Sequence, residues 1–547
     1  MISLERIKRT SPLYIGVTIL FYLPVLAILG KVLFNKQLYL ELAEFIHSGL
    51  LWNTLSFSVR EAFLSAAFSL LLALPGAYYF GNYDFPGKRF LRNLLVLPFM
   101  LPGILVVLGM IVFYGQNGTF NHWLAALFPE SGFRFTGLYG FSGIVLANVF
   151  YNFSFCIRVL GESWERIDPS LREASASLGG SRLRTFWGVT LPLLAPTISY
   201  LFLLIFLYSF LSFTVVLTLG GYLYKTFEVL IYIEYNSKLN FDRATMIAVV
   251  QMLILAAVLY LQTWSSRRIR VTGRFSRLLP QLSWRKRPLI CLSVLGCGLL
   301  AGLFFAAPLG AICFRSLMRR GLPGSGWTLD NYRSLFGSGF RFIIGKSLTA
   351  VIVTSIGLAL TVAIITTVIA YCLARGRRAK PWQLGDLWLQ LPVGISFVTF
   401  SFGVSLVARR FPPFILVLWA QVFLAFPLVY SLLRTAWRDL GEPVIEAARS
   451  LGANSRQVFW TVELPMMRKT ITTAAAYAMA FSLGDLAAVL MLGQGKLTTV
   501  SMVIYRLIGH YHFPQALAMG VLFIGVSVFL YSLVQENSKG NKVSIQD

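Results

Sequence analysis

The chain has 547 residues, 56% of them hydrophobic and 13% charged, and its mean hydropathy is +0.70. That composition excludes a soluble globular protein, in which about 25% of the residues are charged. The formal net charge of +26 would suggest a nucleic-acid partner in a soluble domain. Here the cations gather in particular loops, which is a signal of membrane topology and does not indicate nucleic-acid binding.

Apolar stretches long enough to cross a bilayer recur along the whole chain. A helix of about 20 predominantly apolar residues crosses the ~30 Å hydrocarbon core, so the sequence predicts an all-α integral membrane protein with about twelve transmembrane helices. The predicted spans are residues 12–34, 55–80, 93–114, 138–160, 194–220, 244–264, 288–314, 347–374, 386–408, 412–433, 470–492 and 515–535. The first span is followed by no small-x-small cleavage site, so we expect an anchor and not a signal peptide.

The distribution of cations predicts how the spans are oriented. Residues 265–287 carry arginines and lysines but no acid, which assigns this linker to the cytoplasmic side. The loop from Gly220 to Arg243 has balanced charges and is predicted to be external. Both chain termini are then cytoplasmic. Arg315, Arg319 and Arg320 run against the rule, because they fall in a predicted external loop.

The chain contains an internal repeat. Asn53-Thr54-Leu55 corresponds to Lys346-Ser347-Leu348 at an offset of 293 residues, and from Glu173 onward the offset is 273. The first half therefore has 20 extra residues, which we assign to the external stretch 114–140. The sequence predicts two parallel six-span units, residues 1–264 and 288–547, joined by the basic linker 265–287. Parallel repeats of this kind pack about a pseudo-twofold axis along the membrane normal, with a pathway between them.

One polar motif occurs in both halves, after the fourth span of each unit. The segments EASASLGGSRLRTFWGVTLP, from Glu173, and EAARSLGANSRQVFWTVELP, from Glu446, align without a gap and share ten of twenty residues. Asp168-Pro169 is typical of a helix start. Gly179 and Gly452 stand where a left-handed residue would end that helix. Each copy therefore predicts a short helix followed by a sharp turn.

A second helix is predicted after the turn. Ser181 or Asn454 would cap it, and Leu183, Phe186 and Trp187 have the spacing that places one apolar face against the membrane domain. A rigid unit of this kind at the membrane surface suits docking. An ordinary helical hairpin between spans is the alternative, and the presence of two copies at equivalent places argues against it.

The doubled motif is similar to the EAA loop of the membrane subunits of bacterial ATP-binding-cassette importers. The loops are residues 162–195 and 438–468, and the resemblance covers nearly the whole chain. It implies the type I importer permease fold, with two membrane domains fused in one chain as in the permeases for ferric iron and for thiamine. At one position the chain departs from the family, because Ala174 is followed by Ser175 where a second alanine is frequent.

In that family the first short helix is the coupling helix, which seats in a groove of the ATPase subunit. The residues that the resemblance implies for this contact are Glu173, Ala174, Gly179, Glu446, Ala447 and Gly452. The implied partners are two copies of a cytoplasmic ATPase, which would bind ATP and Mg, and a periplasmic or lipid-anchored substrate-binding protein. The chain itself would lie in the lipid of the bacterial cytoplasmic (inner) membrane.

No catalytic constellation and no metal site is predicted, so the chain is expected neither to be an enzyme nor to bind a cofactor. Gly345-Lys346-Ser347 lacks the first glycine of a phosphate-binding loop, because Phe340 stands there. His510 and His512 alternate around Tyr511 and could contact a metal, although a solvated loop is preferred. The other histidines and the cysteines, none in Cys-x-x-Cys spacing, are His47, His122, Cys156, Cys291, Cys297, Cys313 and Cys372.

Ionisable residues inside membrane spans are costly and therefore candidates for function. Asp485 is the clearest one, and since its counterpart at offset 273 is Ser212, a single carboxylate near the pathway midline could attract a cationic substrate. Glu61 is the second candidate, although it could simply pair with the arginine before it. Asn148 and Asn152 lie one helical turn apart and either line the pathway or form interhelical hydrogen bonds.

Local stretches favour thiamine over ferric iron as the substrate. YGQNG (114–118), LTLGG (217–221), SLGDLAAVLMLG (482–493) and IYRLIGHY (504–511) resemble the thiamine permease more than the iron permease. A ferric pathway would be expected to offer more oxygen ligands. A secondary transporter with two parallel six-span halves, driven by an ion gradient, is the alternative, and it explains the repeat but not the doubled docking motif.

Overall fold

The computed structural model is built of helices throughout the part of the chain that it describes. That part is residues 2–35, 37–88, 91–92, 95, 101–130, 132–221, 223–266, 281–282, 288–319, 326–377, 384–390, 394–440 and 443–539. Most of the predicted linker 265–287 lies outside the described residues. The all-α membrane class is confirmed, because ten helices are long and apolar enough to cross a membrane within those ranges.

The described residues of the first half form twelve α-helices. They are α1 (Ile2–Phe34), α2 (Gln37–His47), α3 (Leu50–Asn82), α4 (Gly103–Tyr114), α5 (Thr119–Leu127), α6 (Phe141–Glu165), α7 (Pro169–Ser177), α8 (Arg182–Thr185), α9 (Leu191–Phe210), α10 (Thr214–Leu219), α11 (Phe227–Tyr232) and α12 (Phe241–Ser266).

The second half repeats this order with small variations. Its helices are α13 (Pro288–Ser316), α14 (Asp330–Arg333), α15 (Ser338–Ile344), α16 (Leu348–Gly376), α17 (Leu384–Gln390), α18 (Phe397–Ala408), α19 (Pro413–Leu440), α20 (Pro443–Ser450), α21 (Ser455–Val458), α22 (Leu464–Gly484), α23 (Ala487–Leu492), α24 (Val500–Gly509) and α25 (Phe513–Lys539).

Three predicted spans are not continuous helices. Residues 194–220 divide into α9 and α10, residues 470–492 divide into α22 and α23, and only α17 and the short α18 represent 386–408. The break after α22 has a local cause, because the Asp485 carboxylate accepts the Ala488 backbone N–H at 3.1 Å and so competes with helix propagation. A hydropathy average cannot register such a break.

The segment from Gly220 to Arg243, which is predicted to be external, is largely helical and folds against the rest of the protein. It contains α11, and both of its glutamates are buried, Glu228 and Glu234. Gln251 Nε2 donates a hydrogen bond to Glu228 Oε1 at 2.5 Å, and Lys238 pairs with Glu234 at 2.7 Å. The two glutamates of this segment are therefore held inside the protein.

The two halves interlock through their first helices. Helix α1 packs on the second half, where Trp419 Nε1 donates to the Leu20 carbonyl at 3.0 Å and the Phe21 ring meets Phe423 edge-on at 5.1 Å. Helix α13 packs on the first half, where Arg315 Nη1 donates to the Val112 carbonyl at 2.7 Å. This contact also accounts for Arg315, the cation that the charge pattern left unexplained. Each half therefore completes the other.

The close approach of α18 to α1 depends on a glycine. A Cβ added at Gly403 would lie 2.6 Å from the Pro24 carbonyl oxygen, and backbone atoms cannot move aside cheaply. We expect Gly403→Ala to lower the stability of the folded protein by about 1–3 kcal/mol, the cost of overpacking, as measured by thermal unfolding in detergent micelles. Gly357→Ala is the matched control, since no described atom lies within 4 Å of a Cβ there. Equal melting temperatures of the two variants would contradict the interlocked packing.

Candidate functional site

The two copies of the polar motif fold alike, and we call them the paired segments, residues 168–190 and 443–463. In the first copy, Asp168 caps α7 by accepting the Ser170 N–H at 2.9 Å, with Pro169 at the first helical position. The predicted helix start is confirmed. The same hydrogen bonds from Ser170 hold the pKa of the Asp168 carboxyl below its ordinary value, because they favour the charged form.

The turn after each short helix is left-handed, as predicted. Gly179 has φ +79° and Gly452 has φ +87°. The backbone N–H of Gly180 returns to the Ser175 carbonyl at 2.9 Å, and that of Ala453 returns to Ala448 at 3.1 Å. A Cβ at either glycine would meet no described atom within 4 Å, so glycine is favoured there by backbone conformation and not by crowding.

Each turn leads into a helix that enters the membrane region without a break. Ser181 caps α8, and Asn454 forms a full capping box with Gln457 before α21. One π-helical turn, Phe186–Thr190 or Phe459–Glu463, then joins each short helix to α9 or α22. The second helix of each paired segment is therefore continuous with a membrane helix.

Equivalent positions fasten both paired segments to the rest of the protein. Arg172 donates to Asn82 Oδ1 at 2.5 Å at the end of α3, and Arg375, at the end of α16, pairs with Glu463 at 2.6 Å. Asn82 and Arg375 correspond at the offset of 293 residues. The paired segments therefore lie at the same end of the two halves.

The six residues implied for coupling are all exposed on the paired segments. The expected apolar face is wrong in part, because Leu183 and Trp187 are 69% and 62% exposed, and only Phe186 packs inward, its ring stacked on Trp164. Sequence reasoning also missed Leu178 and Leu451, which are 89% and 88% exposed. Their signal was available, since each leucine directly precedes a left-handed glycine. The paired segments thus present apolar side chains outward.

A second candidate site lies where α9 and α22 end. Residues 211–213 and 485–486 interrupt the helices at equivalent places. Gln421 Nε2 donates to Asp485 Oδ2 at 2.9 Å, and Ser212 Oγ donates to Asn148 Oδ1 at 3.3 Å. Asn148 and Gln421 are themselves counterparts at offset 273. In each half an amide side chain therefore holds the interrupted helix end.

Glu61 is fully buried and belongs to the same polar network. Its Oε1 accepts hydrogen bonds from Ser65 Oγ at 3.0 Å and from Asn148 Nδ2 at 2.5 Å. Pairing with Arg60 is wrong, because that arginine is exposed. The interhelical hydrogen bond expected for Asn148 is confirmed, whereas Asn152 bonds only to the Asn148 carbonyl in its own helix, at 2.8 Å.

A cavity of about 240 Å³ lies between the halves at these interruptions. Its walls are the carboxylates Asp485 and Glu228 and the rings of Phe213, Phe397, Tyr477 and Phe481. A neighbouring cavity of the same volume is lined by Asn148, Asn152, Tyr151, Tyr208 and Ser212. Four of the five predicted pathway residues line these two cavities, and Glu61 lies behind Asn148. Glu228 was missed because its sequence neighbourhood resembles a solvated loop.

Gly345-Lys346-Ser347 has a structural explanation. Gly345 ends α15 in the left-handed conformation, with φ +78°, and Ser347 caps α16 by accepting the Ala350 N–H at 3.3 Å. Among the described side chains, no group of three or more histidine, cysteine, aspartate or glutamate residues could hold a metal ion. His510 and His512 are exposed beyond the end of α24.

Comparison with known proteins agrees with the permease resemblance of the doubled motif. A family model described as "Binding-protein-dependent transport system inner membrane component" matches residues 73–271 and 392–539. The chain is similar to the thiamine transport system permease protein ThiP of Escherichia coli (strain K12), with 27% identity over 501 residues, covering 89% of each chain. The same protein of Brucella abortus (strain 2308) is 26% identical over 513 residues, covering 90% of this chain and 88% of the relative.

A further relative carries a more general name. The probable ABC transporter permease protein y4fN of Sinorhizobium fredii (strain NBRC 101917 / NGR234) is 25% identical over 443 residues, which is 78% of this chain and 76% of the relative. The similarity thus extends over most of each chain and includes both halves.

The amide that holds Asp485 generates a stability prediction. Gln421→Leu removes the donor to a buried carboxylate and also the acceptor of the Ser482 hydroxyl, a bond of 2.6 Å. We expect a loss of about 1–3 kcal/mol, the cost of leaving a buried polar group unpaired, read as a lower melting temperature in detergent. Asn152→Leu is the control, since Asn152 bonds only within α6. A Gln421→Leu protein as stable as that control would show that the interaction is dispensable.

Proposed function

Because the chain belongs to the family of binding-protein-dependent transport system inner membrane components, we propose that it forms the substrate pathway of a bacterial ABC importer for thiamine and docks two ATPase subunits. The observation that carries the proposal is the pair of exposed segments, one in each half, each continuous with a membrane helix that ends beside a cavity between the halves.

Each paired segment receives one ATPase subunit. Exposed Glu173, Ala174 and Gly179 in the first half, and Glu446, Ala447 and Gly452 in the second, form the polar part of the contact. Leu178 and Leu451 extend from the turns with nearly their whole surface exposed and supply apolar anchors for a groove on the partner. ATP and Mg bind to the ATPase and not to this chain.

The helix that follows each paired segment couples docking to the pathway. Arg182 to Phe210 is one helical run of 29 residues, which at 1.5 Å per residue is about 43 Å long. One end of this run belongs to the first paired segment, which carries the docking surface. The other end stops beside the cavity that Ser212 lines. Movement of the ATPase subunits therefore displaces the cavity wall directly. Transport follows if the ATP-bound and ATP-free states open this cavity to opposite sides.

Thiamine is the substrate that the relatives support. Seven of the relatives named as thiamine transport system permease proteins match over 86–90% of one chain or the other. Thiamine is an aromatic cation, and carboxylates and aromatic rings line the cavity between the halves. Ferric iron is less well supported, because an iron pathway would favour a denser set of oxygen ligands.

The location follows from the same family. The chain is a multi-pass membrane protein, and we place it in the bacterial cytoplasmic membrane with both termini on the cytoplasmic side, where the basic linker would lie. A periplasmic or lipid-anchored binding protein delivers the substrate from outside. A secondary transporter driven by an ion gradient is not favoured, because it does not explain the two exposed paired segments.

The left-handed glycines provide a test of the coupling role. Gly179→Val and Gly452→Val force a β-branched residue into φ near +80°, which is strongly disfavoured, whereas asparagine tolerates that region. In liposomes with the ATPase and the loaded binding protein, we expect the valine variants to lose most of the stimulated ATP hydrolysis and the Gly179→Asn and Gly452→Asn variants to keep it. Equal hydrolysis in all four variants would exclude coupling through these turns.

A second measurement identifies the substrate. ATP hydrolysis by the reconstituted complex is compared with thiamine-loaded, ferric-loaded and empty binding protein from the same gene neighbourhood. We expect stimulation with the thiamine-loaded form alone, since binding-protein-dependent importers respond to the loaded partner. Stimulation by the ferric-loaded form would reassign the substrate. Thiamine uptake that follows an ion gradient without any associated ATPase would instead overturn the importer assignment.

A further inference from the structure

Two carboxylates from different halves face one cavity. Asp485 comes from the interruption after α22 in the second half, and Glu228 comes from α11 in the first half. Both are buried. Two acidic side chains that line one cavity favour a cation there, because a cation can pair with both of them.

The surroundings of Glu228 suit contact with a cation in this cavity. It is 1% exposed, and Gln251 donates to its Oε1, while the Ser396 hydroxyl and the Val398 backbone N–H face the carboxylate from the second half. Its other oxygen, Oε2, has no hydrogen-bond partner at normal geometry among the described residues. One oxygen of this carboxyl thus remains short of hydrogen bonds in a residue that lines the cavity, and an under-satisfied buried acceptor is costly.

The negative charge occurs once and is not duplicated by the repeat. At the offset of 273 residues the counterpart of Glu228 is Ser501, and the counterpart of Asp485 is Ser212. Ser501 donates to the Leu483 carbonyl at 2.6 Å and is thereby satisfied within its own half. Each acid thus stands where the other half has a serine. The repeat therefore does not duplicate this pair of acids in the other half.

The neighbouring cavity is lined by amide and hydroxyl groups, with the Glu61 carboxyl behind Asn148. It shares Gly103, Phe213 and Thr214 with the anionic cavity, so the two adjoin. Asn148, Asn152 and Tyr151 line it, and the buried Tyr151 hydroxyl has no partner in the described part of the protein. Amide and hydroxyl groups of this kind suit a neutral ring that both donates and accepts hydrogen bonds.

We propose that the two adjoining cavities form one transit site for an organic cation with two rings, in which Glu228 and Asp485 hold the charged ring and Asn148 and Tyr151 hold a neutral ring that forms hydrogen bonds. This inference rests on the proposed function. The rings of Tyr477 and Phe481 flank the acids and add cation–π attraction. At about 240 Å³ each, the cavities are smaller than typical ligand pockets of ~300–1,000 Å³.

The test measures how many ATP molecules are hydrolysed for each thiamine molecule taken up, in liposomes that contain this chain, the ATPase and thiamine-loaded binding protein. Glu228→Gln and Asp485→Asn are expected to raise this ratio about tenfold, since each removes one charged contact. Glu228→Asp keeps the charge and is expected to restore most of the wild-type ratio. Asp330→Asn is the control and leaves the ratio unchanged, because Asp330 is exposed, accepts the Thr328 hydroxyl at 2.7 Å and pairs with Arg333 at 3.7 Å, away from both cavities.

Different outcomes separate this inference from the proposed function. An unchanged ratio in both acid variants, or uptake and hydrolysis that fall in parallel, would overturn the transit site, because a merely structural role lowers both together. Equal defects in Glu228→Gln and Glu228→Asp would also count against it. If the wild-type complex itself shows no hydrolysis stimulated by loaded binding protein, the proposed function fails, whatever the variants do.

Discussion

The bilayer requires every backbone polar group in its hydrocarbon region to be satisfied within the protein. That constraint decides where α9 and α22 can stop. Their interruptions lie beside an internal cavity, and side chains on neighbouring helices bond to Ser212 and Asp485 beside the open ends. An interruption exposed to lipid would cost several kcal/mol for each unpaired group. Polar side chains in these spans, and the cavity between the halves, are therefore consequences of breaking two helices in the membrane.

Helices α9 and α22 also connect the exposed paired segments to the cavity. Each begins at an exposed paired segment, passes one π-helical turn and ends at the cavity. A rigid rod transmits displacement without needing a network of side-chain rearrangements. The interlocked first helices supply the opposing frame, because α1 and α13 fasten each half to the other. Under the proposed coupling, motion of α9 and α22 would therefore act on the interface between the halves, where Asp485 and Glu228 lie.

Features that depend on residues close in the sequence were predicted correctly. The predictions that failed depended on tertiary contacts. Asp168-Pro169 and the glycines Gly179 and Gly452 act within a few residues of themselves, so their roles could be read directly. Trp187 could not, since helical spacing defines a face but not what covers it. Glu228 was missed because its partner Gln251 lies 23 residues away. Averaged hydropathy likewise hid the break at Asp485, which one carboxylate bond to a backbone N–H defines.

The interlocked arrangement also has a consequence for biosynthesis. Leu20 and Trp419, which join α1 to the second half, are separated by 399 residues. At about 5–20 residues per second, a ribosome needs ~20–80 s to cover that distance. Until α16 and α18 are made, late in this interval, the newly made first helix lacks the second-half helices on which it packs. Its span Pro12–Phe34 has a mean hydropathy of 2.2, and only 28% of its most apolar part is buried inside the folded protein. The helix is therefore apolar enough to wait alone in lipid until its partners are translated.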